Sequence, residues 1–177
     1  MSQTQRHRRA GARRVLERGD RLKLVRFSIG GTVYAFEVDL VEEVVQPLAI
    51  TTLPELPPFV LGVGDHRGSV LPIVDLRARF GLPPAPNSRA SKWVLTKLPI
   101  EGRAAPLRLG FLVDRVLDVH GTDELPGPAP SVGGFTERSA VAGVVTIDGG
   151  LSFVLDLARL VGDLVLPTTT PLLGEPV

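Results

Sequence analysis

Few residues in this 177-residue chain have side chains that could do covalent or metal chemistry. Cysteine is absent, which removes disulfides, thiol nucleophiles and thiolate metal ligands. The three histidines, His7, His66 and His120, lie in unrelated parts of the chain, so no metal centre is expected. Asp65 and His66 form an acid–imidazole pair. Neighbours on a strand point to opposite faces, however, and no serine or threonine in a nucleophile elbow accompanies them, so the pair reads as decoration of a turn. Glu42 and Glu43 read as charges at a helix N-terminus, where the helix dipole favours them. The pairs Gly30-Gly31, Gly133-Gly134 and Gly149-Gly150 lack the phosphate-loop lysine and the GxGxxG spacing, and read as turns. There remains Arg67, in the turn sequence His66-Arg67-Gly68-Ser69. A guanidinium there can bind helix-terminal carbonyls or a carboxylate, and its planar fork fixes orientation better than a lysine. Asp65 stands within reach of it. This is the chemistry of recognition, so neither catalysis nor a cofactor is expected.

Short strands must position these residues. Val25, Phe27 and Ile29 alternate before Gly30-Gly31, and Tyr34, Phe36 and Val38 alternate after it, the pattern of a hairpin around a tight turn. Asp39, with Glu42 three residues on, predicts a capped helix running to about Gln46 and stopped by Pro47. Leu53 to Pro58 holds three prolines and is expected to be extended, feeding a strand over Phe59 to Val63. Val70 to Val74 returns as a strand, and Asp75 caps a second short helix ending at Gly81. Leu82 to Ser91 is the best internal linker. Beyond it, Trp93 to Leu98 and Leu107 to Val113 predict another hairpin, with Trp93 read as core. A Pro/Gly loop follows over Pro126 to Gly134. Ala140 to Ile147 and Leu151 to Leu155 then flank the turn Asp148-Gly149-Gly150, and Asp156 to Gly162 forms a last helical turn.

Composition sets the frame. Apolar residues make up 44% of the chain, ample for a core, and no run of 18 apolar residues offers a membrane span. A cytoplasmic protein is expected, since the Arg-rich start lacks the apolar core of a secretory signal. The net charge of +1 hides an asymmetry: residues 1–21 carry +5 and the remaining 156 carry −4. The first segment is too polar to bury much surface and is expected to be a disordered basic arm. A mildly acidic body is not the charge pattern of a nucleic-acid-binding domain.

An internal repeat organises the body. Ser69 to Gly81 aligns without a gap on Gly150 to Gly162, an offset of 81 that also carries Gly62-Val63 onto Gly143-Val144. Val38-Asp39, Val41, Glu43 and Val44 align with Val113-Asp114, Val116, Asp118 and Val119 at an offset of 75. A duplicated unit of about five short strands predicts two small closed barrels packed together, each too small to stand alone, with the seam between them as the natural groove.

The run from Ile50 to Gly81, together with Phe27-Ser-Ile-Gly, Val41-Glu-Glu-Val, Leu109-Gly-Phe-Leu-Val-Asp-Arg-Val and Leu155-Asp-Leu in that order, resembles the CheW family of chemotaxis coupling proteins over about residues 22 to 163. The resemblance implies an all-β fold of two small SH3-like five-stranded β-barrels packed together with short helices. The first barrel would span about 22–85 and the second about 90–163, with the terminal strands free to cross and 164–177 left as a tail. It implies a non-enzymatic adaptor that links the regulatory domain of a CheA-type histidine kinase to the cytoplasmic tip of chemoreceptors. Such a protein meets the membrane only indirectly, through the receptors, and uses no metal. Carried over by position, the partner-binding groove would include Val41, Glu43, Val44, Gly62, Val63, Asp65, His66, Arg67 and Gly68. The family usually has Asn-Leu-Arg-Gly where this chain has Asp65-His66-Arg67-Gly68, and Gly64 replaces a larger residue. The departure implies a coupling protein of a divergent or non-motility array. The rival expectation is an SH3-like module for nucleic acid or a small ligand, with the basic arm supplying affinity.

Overall fold

A computed structural model of the chain describes residues 21–85, 88–129 and 140–162. The expectations for the basic arm before Arg21, for the tail, and for most of the Pro126 to Gly134 loop lie outside those residues. Within them the fold is all-β: strands β1 (Leu22–Ile29), β2 (Thr32–Glu37), β3 (Val41–Val45), β4 (Ile50–Thr51), β5 (Val60–His66), β6 (Ser69–Asp75), β7 (Lys92–Leu98), β8 (Leu107–Val113), β9 (Arg115–Thr122), β10 (Val141–Ile147) and β11 (Gly150–Leu155), with two short helices, α1 (Leu76–Arg79) and α2 (Leu157–Val161).

The strands form two sheets, ordered β10-β11-β2-β1-β9 and β3-β7-β8-β6-β5-β4. Neither sheet closes its hydrogen-bond ladder into a ring, and they hold five and six strands, so two closed five-stranded barrels are replaced by two open sheets. Neither is confined to 22–85 or to 90–163: the β1–β2 hairpin joins β9, β10 and β11, while the β7–β8 hairpin joins β3 to β6. The joints are the parallel pairs β11–β2, with Val154 opposite Ala35, and β6–β8, with Val74 opposite Phe111. The halves thus exchange hairpins, so that each sheet depends on the other stretch of chain.

Three apolar clusters follow from the alternation of side chains on these strands. Leu22, Leu24, Ala35, Val145, Ile147 and Val154 form one cluster within the first sheet. Leu71, Ile73, Trp93 and Leu95 do the same in the second. The largest cluster draws on both sheets and both helices, with Phe27, Phe36, Val94, Phe111, Leu76 and Leu157 among its members. Phe36 stands at its centre, its ring 5.1 Å from Phe27 and 5.3 Å from Phe111, each contact adding about 1 kcal/mol beyond area burial. The seam between the sheets is therefore core, not a groove along their length.

The repeat is realised to the residue. At an offset of 81, the ends of β5, β6 and α1 fall on those of β10, on the last residues of β11 with its following Asp156, and on the start of α2. Both hairpins turn through two residues of positive φ, Arg67 (54°) and Gly68 (78°) in one, Asp148 (51°) and Gly149 (77°) in the other, as a right-twisted hairpin requires. Asp75 accepts the Arg77 backbone N–H at 2.9 Å and Asp156 that of Arg159 at 3.1 Å, capping α1 and α2 alike.

The helix expected from Asp39 to Gln46 does not form. A single 3-10 turn over Val38–Leu40, without a side-chain cap, leads straight into β3. Val41, Val44 and Val45 are β-branched and gain a ladder with β7, from Val41 opposite Thr96 to Val45 opposite Trp93. Glu42 and Glu43 are consequently strand residues, not helix N-terminal charges. The strand β9, which had no counterpart in the sequence reading, is the repeat of β3 at the offset of 75.

Candidate functional site

The second sheet rolls until its far strands meet. In hydrogen-bond order β3 and β5 are separated by β7, β8 and β6. Yet Glu43 on β3 reaches the end of β5: its Oε2 lies 3.1 Å from His66 Nε2 and its Oε1 accepts from Arg67 Nη2 at 3.0 Å. Farther in, Trp93 on β7 covers Gly64 on β5 so closely that a Cβ there would stand 2.8 Å from the indole ring. Side chains, not backbone bonds, thus close the roll, and they do so at its mouth.

These contacts bring together three of the nine residues singled out for the groove: Glu43, His66 and Arg67. Arg67 sits on the turn with its side chain 75% exposed, whereas the His66 side chain is 10% exposed. Asp65 does not pair with Arg67. Its Oδ1 accepts the Gly68 backbone N–H at 2.9 Å and thereby fixes the turn, which leaves Glu43 as the carboxylate for Arg67. Val41 and Val44 lie on β3 with Glu43, Val44 being the exposed member at 37%. Val63 is partly buried on β5 opposite Thr51 and Pro72. Gly62 is buried, and its part is structural: β4 passes so close that a Cβ would collide with the Thr51 backbone.

Two features escaped the sequence reading. Val70, opposite Asp65 on the same hairpin, is 69% exposed. The signal was the alternation itself, since Leu71 points inward and its neighbour must point out. Arg108 on β8 grips both oxygens of Glu42, at 2.8 Å from Nη2 and 2.9 Å from Nε. That bidentate pair holds the Glu42 carboxyl below the ordinary range, with Lys97 and His66 adding to the effect. Chain order gave no sign of it, because the two residues meet only when β3 lies beside the β7–β8 hairpin.

A second polar clamp ties the sheets to the linker. Arg77 of α1 donates from Nε and Nη2 to the two oxygens of Asp114, both at 2.7 Å, and from Nη1 to the Pro83 carbonyl at 3.1 Å. Asp114 also accepts the Gly30 backbone N–H at 2.9 Å. The Arg77 guanidinium, and after it the Gly30 amide, lower the Asp114 pKa against the opposing cost of burial. Among the described residues no group of three or more potential metal-ligating side chains occurs.

What such an arrangement offers is a surface: an outward guanidinium on a fixed turn, a carboxylate orienting it, and exposed valines on the strands behind. Comparison with known proteins shows the family of the chain. Residues 23–165 match the CheW-like domain family. The probable chemotaxis protein CheW of Rhizobium etli is 33% identical over 146 residues, covering 82% of this chain and 90% of the relative. The chemotaxis protein CheW of Thermotoga maritima is 30% identical over 143 residues, 80% of this chain and 89% of that protein. Among solved structures, the scaffolding protein TtCheW from Thermoanaerobacter tengcongensis is similar with a TM-score of 0.69 and 31% identity, over 80% of this chain and 92% of that one. With the family matched across both sheets and the whole repeat, this chain belongs to the CheW-like domain family of chemotaxis scaffold proteins.

Proposed function

We propose that this protein is a non-enzymatic, cytoplasmic coupling adaptor that binds the regulatory domain of a CheA-type histidine kinase and the cytoplasmic tip of chemoreceptors within a chemosensory array. The observation that carries the reading is the placement of Arg67. A residue with a φ of 54° holds its side chain out on a two-residue turn, and a carboxylate from β3, separated from β5 by three strands in the sheet, orients it. A left-handed arginine on a hairpin is uncommon, and neither its exposure nor its ion pair contributes much to folding. Val44 and Val70 add exposed apolar area on the strands that carry the cluster. Together these suit a partner with an apolar stripe and a carboxylate or helix-terminal carbonyls beside it.

Co-purification from cells tests this, with Arg67→Ala beside the native chain. Native protein is expected to bring down a histidine kinase, and the variant to bring down severalfold less while its melting temperature stays within about 2 °C, because a turn side chain away from the core costs little stability. Binding of oligonucleotides at physiological salt, with no kinase retained, would overturn the adaptor reading in favour of a nucleic-acid module, whose affinity should fall steeply with salt.

A further inference from the structure

We propose that His66 ties the freedom of Arg67 to the protonation of a buried imidazole, so that the turn offers a more loosely held guanidinium to an acidic partner as pH falls. The functional meaning of this link rests on Arg67 facing a partner, as proposed above; the link itself is internal to the chain. Glu43 has two carboxylate oxygens, and both are taken, Oε2 by His66 Nε2 at 3.1 Å and Oε1 by Arg67 Nη2 at 3.0 Å. Opposite a carboxylate Nε2 must carry the proton, so in the neutral ring Nδ1 is the lone-pair nitrogen. That nitrogen is buried and has no protein partner. It is the one position where the ring can take up a second proton, and a new N–H there would be buried without an acceptor until the ring or the turn moved.

The charges around the ring set the direction. On β3 the ring pairs with Glu43 and lies within electrostatic range of Glu42, whose own charge is engaged by Arg108 and Lys97; on its own hairpin, Asp65 is bound to the Gly68 amide and Arg67 shares Glu43. With the ring neutral, Glu43 and Arg67 cancel. With the ring cationic, one negative charge serves two positive ones. The ring lies in the mouth at 10% exposure, where screening is weak, whereas Arg67 is 75% exposed and its pair is screened by water. Glu43 therefore stays with His66, and its hold on Arg67 weakens.

NMR of the full-length protein with labelled side chains tests this without any partner. The Arg67 guanidinium signals are expected to move in step with the ring signals of His66, the paired-to-free ratio falling by up to about fivefold, the most an exposed ion pair supports. In His66→Leu, or in His66→Gln should the leucine variant not fold, the Arg67 signals are expected to stay flat with pH. In Glu43→Gln they should sit at the free position throughout. Arg67 signals that ignore the His66 transition in the native chain, or that keep the same response without His66, would overturn the proposal. Because no kinase is in the tube, a flat Arg67 signal says nothing against the adaptor reading, and failed kinase capture says nothing against the link.

Discussion

Gly64 shows how one residue's absence of side chain is another's space. The indole of Trp93 occupies what a side chain at Gly64 on β5 would fill. Trp93 is 1% exposed and packed with Leu71, Ile73 and Leu95, so it cannot swing away. Gly64→Ala is expected to cost about 1–3 kcal/mol by overpacking, read as a lower denaturant midpoint with unchanged slope. Combining it with Trp93→Phe should recover part of the loss, because the smaller ring returns the space. An alanine variant as stable as the native chain would mean that β5 and β7 are not in contact across the roll. Of the candidate site, Arg67, Glu43 and His66 were singled out one by one through the resemblance, Glu43 being read from the residues alone as a helix-terminal charge. Their meeting was not legible, because it depends on a sheet rolling through four intervening pairings, and nothing in the spacing of residues 43 and 67 encodes that.

At the scale of elements, the hairpins were legible and the bulged edge strands were not. Two-residue alternation around Gly30-Gly31 and around Asp148-Gly149 located β1, β2, β10 and β11 closely. In β3 the register with β7 slips between Val41 and Glu43, and β9 slips against β1 between Val116 and Asp118. An extra residue in a strand turns a spacing of two into one of three, so that Val41, Val44 and Val45 imitate the i, i+3, i+4 stripe of a helix. Beside Asp39 and Glu42 as apparent caps, the helix was the natural reading; pairing across the sheet decided otherwise. The repeated glycines mark a related constraint. Gly62 and Gly143 sit at matching slips in β5 and β10, and at each another segment crosses: β4 at Gly62, and Pro126 and Gly127 at Gly143, where a Cβ would stand 2.6 Å from Pro126 Cβ. Gly62 also has a φ of 143°, which side chains rarely adopt. Gly62→Ala is expected to destabilise by about 2 kcal/mol or more and to release β4, seen as faster amide exchange at Ile50 and Thr51 than in the native chain. Unchanged protection there would show that β4 does not need the glycine.

Across the whole molecule, the exchange of hairpins makes each sheet draw on both halves of the chain, and carboxylate clamps tie strands and linker together. Asp114 with Arg77 links the linker, α1 and the β1–β2 turn; Glu42 with Arg108 fastens β3 to the β7–β8 hairpin; Asp118 with Arg26 fastens β9 to β1. In each, the guanidinium is the leading cause that lowers the carboxylate's pKa, against a smaller cost of burial. A carboxylate depressed in the folded state binds a proton more readily in the unfolded chain. Its contribution is therefore complete above the unfolded value and is lost as pH falls through the folded one. Stability is expected to hold level down to about pH 5 and to decline below about pH 4, in one cooperative transition because the sheets share their central core. Chemical denaturation at a series of pH values measures this, with Asp114→Asn as the control. The variant should start less stable at pH 7 and lose less on acidification, so that the two curves converge toward pH 2. Parallel curves would assign the acid sensitivity to other groups, and two separate transitions would show that the sheets unfold independently despite the exchanged hairpins.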